Sequence, residues 1–421
     1  MHPVLRILGI FAVFLFATVG WLVLGGVTSS RTQEQLSALD GRVSDLWGSP
    51  QTQAAPTFTE EWVESVTTRE QVTDAAGVVR TVDTIERVLR QAPVDPTRTR
   101  VTVDLHLDQR RKGLLWYPLY DVTFAGQWTY THPATGAPRD LRVALAFPDA
   151  QGLYDDFGFV VDGVDRAAEV RPENGRVSWV VPVVPGQTVT LAAGYRSRGM
   201  REWVYQPTQG VGRVDDFALT MRTDFDAIDY PRMTMSPSSR TPTADGWTLD
   251  WTFERLVGGY GIGMVMPERT QPGELAAGIS FSAPLSLGLF FLWIYALGLL
   301  RRIEIHPINY LFLAAAFFSF DLLFAYTADH LPVEAAFALS SVVSVALVVS
   351  YLRLVVGSRF AFVEAGIAQL LYQVGFALAH FWDGLTGLTI TVLGIVTLFA
   401  LMQLTGRVKW GEVMARKPAL A

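Results

Sequence analysis

The chain switches between apolar and polar regimes at two scales. At the coarse scale, residues 4–27 read VLRILGIFAVFLFATVGWLVLGGV, with Arg6 the one charge. About 250 mixed residues follow, and from Phe281 the chain is apolar again almost to its end. A hydrocarbon core about 30 Å thick takes roughly 20 apolar helical residues to cross. Runs at 281–300, 309–327, 334–352, 360–379 and 385–404 approach that length, so with the first run the sequence predicts six spans. Lipid offers backbone groups no partners, so each run is expected as a helix. The first run is longer than a signal-peptide core and no A-x-A-like site follows it, so 1–27 reads as an uncleaved anchor.

At the fine scale, residues 28–278 change period. SRTQEQLSALDGRVSDLW continues the first helix until Gly48 and Pro50 break it. Beyond Pro56, apolar and polar positions alternate in short runs. Val101, Val103, Leu105 and Leu107 form one such run, and Val122, Phe124 and Trp128 another. Further runs lie at 141–148, 157–163, 177–184, 188–196, 217–223 and 247–253, split by NG and PGQ turns. Period-two strands with turn signals between them predict a β-sandwich-like domain. Residues 79–92 fit helix or strand equally. The expected architecture is a six-helix membrane bundle with a large all-β insert: an anchor at 1–27, a β domain at 28–278, five helices at 279–406 and a tail at 407–421.

Charge orients this layout. Nine basic residues lie outside 28–278: Arg6, Arg301, Arg302, Arg353, Arg359, Arg407, Lys409, Arg416 and Lys417. A cytoplasmic N-terminus puts all nine on the cytoplasmic side, and the opposite turns ADHLP and HFWDGL hold none, as the positive-inside rule requires. Both termini are then cytoplasmic and 28–278 is exported, in a bacterium the periplasm. Nine of the 34 basic and seven of the 40 acidic residues lie outside 28–278, leaving 25 bases and 33 acids inside it. That balance excludes a nucleic-acid partner. Cysteine is absent, so the exported domain is expected to fold on its core alone.

Chemistry is sparse. Asp104, His106 and Asp108 share a strand face, which reads as a solvated face more than a metal site. Asp155-Asp156 and Asp215-Asp216 are neighbours whose side chains diverge in extended chain. GGYGIG at 258–263 lacks dinucleotide-binding spacing and reads as a strand bend, and His132-Pro133 as a hairpin turn. No catalytic, cofactor or metal residues are expected. The membrane runs carry two ionisable groups: Asp321, about 12 residues into the third span, and Glu364, about five into the fifth. Carboxyls at such depth are costly and face the bundle interior when present. Tyr310, Tyr326, Ser319 or Tyr372 are expected to bond them, with Leu323 on the face opposite Asp321. In RRIEIHPINYLFL, His306-Pro307 reads as the start of the third span and Tyr310 as its headgroup anchor.

Several stretches together resemble the CreD-like inner-membrane proteins. HPINYL at 306–311, F-x-L-L at 320–323 and the carboxyl-plus-His turn at 329–330 are similar to that family's HPxQYL…FYLLL…SEH region. LWGSPQ at 46–51 resembles its WGGPQ element, RRKGLLWYPLY at 110–120 its R-G-I-Y-x-x-P-x-Y segment, and GRVKW at 406–410 its T-R-x-x-D-W close. Asp321 stands where the family has Tyr, and HFWDG replaces its acidic pair before the last span. The resemblance implies an inner-membrane protein with a periplasmic domain, tied to envelope integrity and stress, with no catalytic residues to carry over. A non-enzymatic protein whose β domain binds an envelope partner is therefore expected. The alternative is a proton-coupled transporter using Asp321 and Glu364. An enzyme acting on envelope polymer would need an acid–base cluster that the sequence does not contain.

Overall fold

The computed structural model describes residues 3–73, 79–382, 384–406 and 408, and the side chains of these except 3, 70–73 and 79–82. The tail expected at 407–421 lies outside the described residues, Val408 apart. The chain divides into a helical unit (Met1–Leu39, Gly113–Leu115 and Thr270–Ala421) and a β unit (Asp40–Lys112 and Trp116–Arg269).

Among the described residues, six helices are long and apolar enough to cross a membrane, as the run lengths predict. They are α1 (Pro3–Trp47), α2 (Pro272–Arg301), α3 (Pro307–Thr327), α4 (Val333–Val356), α5 (Phe360–Phe381) and α6 (Thr386–Thr405). α1 continues through its polar half to Trp47, and α2 begins nine residues before the expected 281 because Pro272 suits a first helical turn. Arg302 closes α2 in the left-handed region, its N–H bonding back to Gly298 and Leu299. The short link to α3 makes α2 and α3 antiparallel neighbours. Phe290 meets Phe317 at 4.7 Å between ring centroids, and Phe291 meets Tyr310 edge-on at 5.0 Å. One buried cluster joins Trp21 of α1, Phe290 and Ile294 of α2, Tyr310 and Phe317 of α3, Leu352 of α4 and Tyr372 of α5.

The β unit has fifteen strands among its described residues. The first five are β1 (Gln51–Ala54), β2 (Thr57–Thr73), β3 (Val79–Val94), β4 (Arg98–Lys112) and β5 (Leu115–Thr131). Next come β6 (Arg139–Ala146), β7 (Tyr154–Val161), β8 (Val164–Asp165), β9 (Arg176–Val183) and β10 (Thr188–Met200). The last are β11 (Glu202–Gln206), β12 (Gly212–Thr223), β13 (Ser239–Pro242), β14 (Trp247–Gly258) and β15 (Ile262–Val265). They form sheets of eight (β13-β14-β12-β4-β5-β10-β7-β8), four (β3-β2-β6-β9) and three (β1-β11-β15) strands. The undecided stretch at 79–92 is therefore strand. Inward residues of all three sheets share one core: Val101, Val103, Leu105 and Trp128; Leu141, Val143 and Val177; Trp203, Tyr205 and Met264. GGYGIG carries the chain from β14 in the large sheet to β15 in the small one, the bend its glycines predict.

Two features depart from expectation. His132-Pro133 is no hairpin turn: it takes the chain from β5 in the eight-stranded sheet to β6 in the four-stranded one. And β2 and β3 pair from Phe58↔Val94 to Thr73↔Val79, while β6 accompanies β2 only over Thr57 to Glu61. Beyond Glu61 the hairpin leaves its sheet as a two-stranded ribbon.

Gly48 ends α1 at φ +98°, and a Cβ there would stand 2.3 Å from the Arg198 carbonyl oxygen. Left-handed backbone costs a non-glycine residue about 1–2 kcal/mol before any clash. Gly48→Ala is expected to lower stability by at least about that much, read as a clear drop in the thermal midpoint of the detergent-solubilised chain. An unchanged midpoint would show that the α1-to-β1 turn tolerates a side chain.

Candidate functional site

The start of α3 is built by its sequence. His306 is extended (φ −69°, ψ 146°), its side chain accepts from the Ile308 N–H at 3.3 Å, and Pro307 occupies the first turn. His306 thus caps a helix. Tyr310 is not the headgroup anchor expected of it: it is fully buried, edge-on to Phe291.

Asp321 faces the bundle interior and is 3% exposed. Its partner is none of the expected hydroxyls but Trp21 of α1, whose Nε1 donates to Oδ2 at 2.8 Å. Trp21 is itself fully buried, held edge-on by Phe318 at 5.4 Å. Oδ1 is buried without a hydrogen-bond partner, so one oxygen stays open to a proton or a further donor. The face toward the surroundings belongs to Leu322, with Leu323 half-buried, one position from the expected place. Glu364 pairs with Arg301 at the end of α2 instead of Tyr372, whose hydroxyl donates to Thr397 at 2.9 Å. α3 and α5 start at the same side of the bundle. Asp321 lies about 21 Å along α3 and Glu364 about 6 Å along α5, at about 1.5 Å per residue. The two carboxyls are thus at different depths and are not brought together.

The most connected polar cluster in the helical unit carries no charge. The Ser344 hydroxyl of α4 lies 2.7 Å from both the Ala316 carbonyl and Gln373 Oε1, and accepts from Gln369 Nε2 at 3.1 Å. Gln373 Nε2 donates to the Phe317 carbonyl at 2.7 Å, and Gln369 also donates to Gln373. Gln369 Oε1 is buried without a partner. The helix that presents these glutamines is π-wound over Phe360–Ala365 and Leu370–Gly375. Such turns interrupt the ordinary hydrogen-bond ladder and recur at functional positions. Reading only for ionisable groups missed this cluster. Its signal was present: Gln369/Gln373 and Ser340/Ser344, each at i,i+4 in an apolar run.

In the β unit, the acids and bases singled out earlier turn to separate partners. Asp104 pairs with Arg222, His106 with Asp224 and Asp108 with Arg110. Asp156 pairs with Arg196; Asp215 pairs with Arg213 and Arg255, and Asp216 with Arg98 and Arg100.

The buried cluster lies instead at the base of the ribbon, at residues of which only His132 was named from the sequence, and that as a turn. Glu60 accepts from Tyr130 at 2.5 Å and Arg139 at 2.9 Å, with His132 Nδ1 at 2.6 Å. His132 Nε2 stands 2.8 Å from the Ala137 carbonyl, so both ring nitrogens have a partner. Next along β2, Glu61 takes Arg142 at 2.7 Å and Gln91 at 2.8 Å, and the Arg139 guanidinium covers the Trp62 ring at 3.7 Å. Burial acts to raise the Glu60 carboxyl; bonds from Tyr130 and His132 and the charges of His132 and Arg139 outweigh it and hold it below the ordinary range. Arg142 does the same for Glu61. Glu60 and His132 are too enclosed to meet a substrate, so the cluster fastens the ribbon to its sheet.

These sheets and spans define a polytopic membrane protein with a β unit inserted between its first two spans. Residues 281–411, about a third of the chain, match the family model described as Inner membrane protein CreD, and that segment is CreD-like. A search of curated proteins found no match. Among solved structures, a candidate nutrient binding protein of Legionella pneumophila aligns at 10% identity, covering 48% of this chain and 77% of its own, with a TM-score of 0.29. A score that low carries no argument.

The ribbon's anchorage sets a pH dependence. Both folded-state carboxyls lie below their ordinary 4.5, so their contribution is whole above that value and is lost as pH falls through the lowered folded values. Glu60→Gln is expected to cost on the order of 3 kcal/mol at pH 7 and to flatten the loss of thermal stability below about pH 4.5. A variant with the wild-type acid slope would remove Glu60 from the linkage.

Proposed function

We propose that the chain is a non-enzymatic inner-membrane protein of cell-envelope integrity and stress response, whose exported β unit binds an envelope partner. The observation that carries this reading is the ribbon. Its apolar side chains stand in the open while the buried acids at its base are engaged in ion pairs, which is the geometry of a docking element. Export of the β unit is supported by the sequence positions of the nine basic residues outside it, which one orientation of the spans assigns to a single side. The CreD-like segment supports the envelope setting.

A second reading, a proton-coupled carrier, is favoured by the open Oδ1 of Asp321 and by a π-wound helix that bonds the same α3 at Phe317. The separate depths of Asp321 and Glu364 weigh against it, because a relay between them would need a further group. Asp321→Asn keeps an acceptor for Trp21 and removes the titrating proton. It is expected to leave tolerance of envelope-directed agents at the wild-type level; loss of that tolerance with normal membrane abundance would favour the carrier. Alkaline phosphatase fused after residue 331 is expected to be active and after residue 305 inactive. The reverse pattern would overturn the orientation, and export of the β unit with it.

A further inference from the structure

We propose that the partner of the ribbon is a second copy of this chain, docked by antiparallel pairing of the two β3 strands about a two-fold axis through Ile85. This rests on the partner-binding reading and names the partner.

β3 ends the four-stranded sheet, so among the described residues its outer backbone groups have no strand to pair with. Beyond Glu61 it is supported by β2 alone, and a two-stranded ribbon is marginal without a third strand. The register Val63↔Leu89 and Thr67↔Ile85 puts Val63, Ile85 and Leu89 on one face, where they are 62%, 69% and 58% exposed. Edge strands are commonly blunted by proline or by charge. Pro93 blunts β3 only at its base, and from Asp83 to Gln91 the charges are of both signs.

Those charges select a register. A two-fold axis normal to the sheet keeps each side chain on its own face, so it must pass through a residue, and the opposed residues are those equidistant from it. Centring on Glu86 or Arg87 sets like charges against each other. Centring on Thr84 or Leu89 opposes no opposite charges. Centring on Val88 brings Pro93, which has no N–H to give, into the ladder against Asp83. Centring on Ile85 opposes Asp83 to Arg87 twice, sets the most exposed of the three apolar residues against its own copy, and leaves Pro93 outside the ladder. Its one like-charge opposition is Arg90 to Arg80. The contact is isologous and closes as a dimer, and adding strand to strand is a common docking mode.

The chain has no cysteine, so single thiols report cleanly. Directly opposed residues of antiparallel strands have Cα atoms about 4.5–5.5 Å apart, inside the roughly 4.4–6.8 Å of a disulfide. Leu89, four residues from the axis, would stand about 26 Å from its copy at about 3.3 Å per residue. In the full-length chain in native membranes, mild oxidation is expected to convert Ile85→Cys to a disulfide-linked dimer and leave Leu89→Cys monomeric. Differently tagged copies bearing Asp83→Cys and Arg87→Cys are expected to cross-link to each other. Equal cross-linking of the 85 and 89 variants, or none at 85, overturns the proposal. Maleimide labelling separates the two failures. A monomeric Ile85→Cys shielded in membranes but reactive once purified means another partner covers the ribbon: self-pairing fails and partner binding stands. Free labelling in both settings sinks both.

Discussion

The helical unit depends on a constraint: a carboxyl placed among apolar helices must find a donor, and Asp321 has one. Trp21 lies 300 residues earlier, on the far side of the entire β unit in sequence, and its indole N–H fastens α1 to the C-terminal helices. The magnitudes show that stability alone does not explain the pair. A carboxyl at mid-membrane costs about 2.5–3.5 kcal/mol on insertion scales, whereas a hydrogen bond between helices in lipid averages about 0.6 kcal/mol. The pair returns less than it costs, so what it contributes is position. α1 can dock in one rotation, with Trp21 turned to α3, where a purely apolar seam would accept several.

The neutral cluster around Ser344 works by the opposite balance. Serine and glutamine cost less to insert than a carboxylate, and each bond ties one helix to the next: α4 to the α3 backbone through Ala316, α5 to α3 through Phe317, and α5 to α4 through Ser344. The π turns of α5 set how Gln369 and Gln373 are presented toward Ser344. Polar residues in this unit thus divide by charge. The uncharged ones hold α3, α4 and α5 together; the carboxyls occupy separate places, Asp321 and Asp329 meeting α1 at Trp21 and Arg31, and Glu364 pairing with Arg301 at a helix end.

What the sequence made legible follows from period and length. Six apolar runs of spanning length can hardly be anything but helices in lipid, and His306-Pro307 carries its own start signal, so span number and the α3 boundary were readable. Alternation likewise exposed β4, where Val101, Val103 and Leu105 do point into the core. Long-range pairing was not readable. Nothing near Asp321 in sequence points to Trp21, and the hydroxyls nearest it were the natural but wrong guess. His132-Pro133 has the local chemistry of a turn in either case; whether the next strand stays in the same sheet is decided by burial elsewhere. β3 was ambiguous because a strand exposed on both faces need not alternate, and its charges mimic helical spacing.

That same lack of alternation explains why the base of the ribbon is so heavily bonded. A strand pair without a core face gains little from apolar burial, so its direction must be set where it leaves the sheet. Glu60, Glu61 and Trp62 stand at that exit and are held by Arg139 and Arg142 from β6, with Tyr130 and His132 joining from the end of β5. Losing one member strands charges in a buried setting, which is far costlier than losing a surface pair. An element that merely filled space would need no such fixture. Ion pairs this enclosed at the root of an otherwise open hairpin hold the hairpin at a defined angle. A defined angle matters to an edge that must meet another strand in register, because a shift of one residue would turn every side chain to the wrong face.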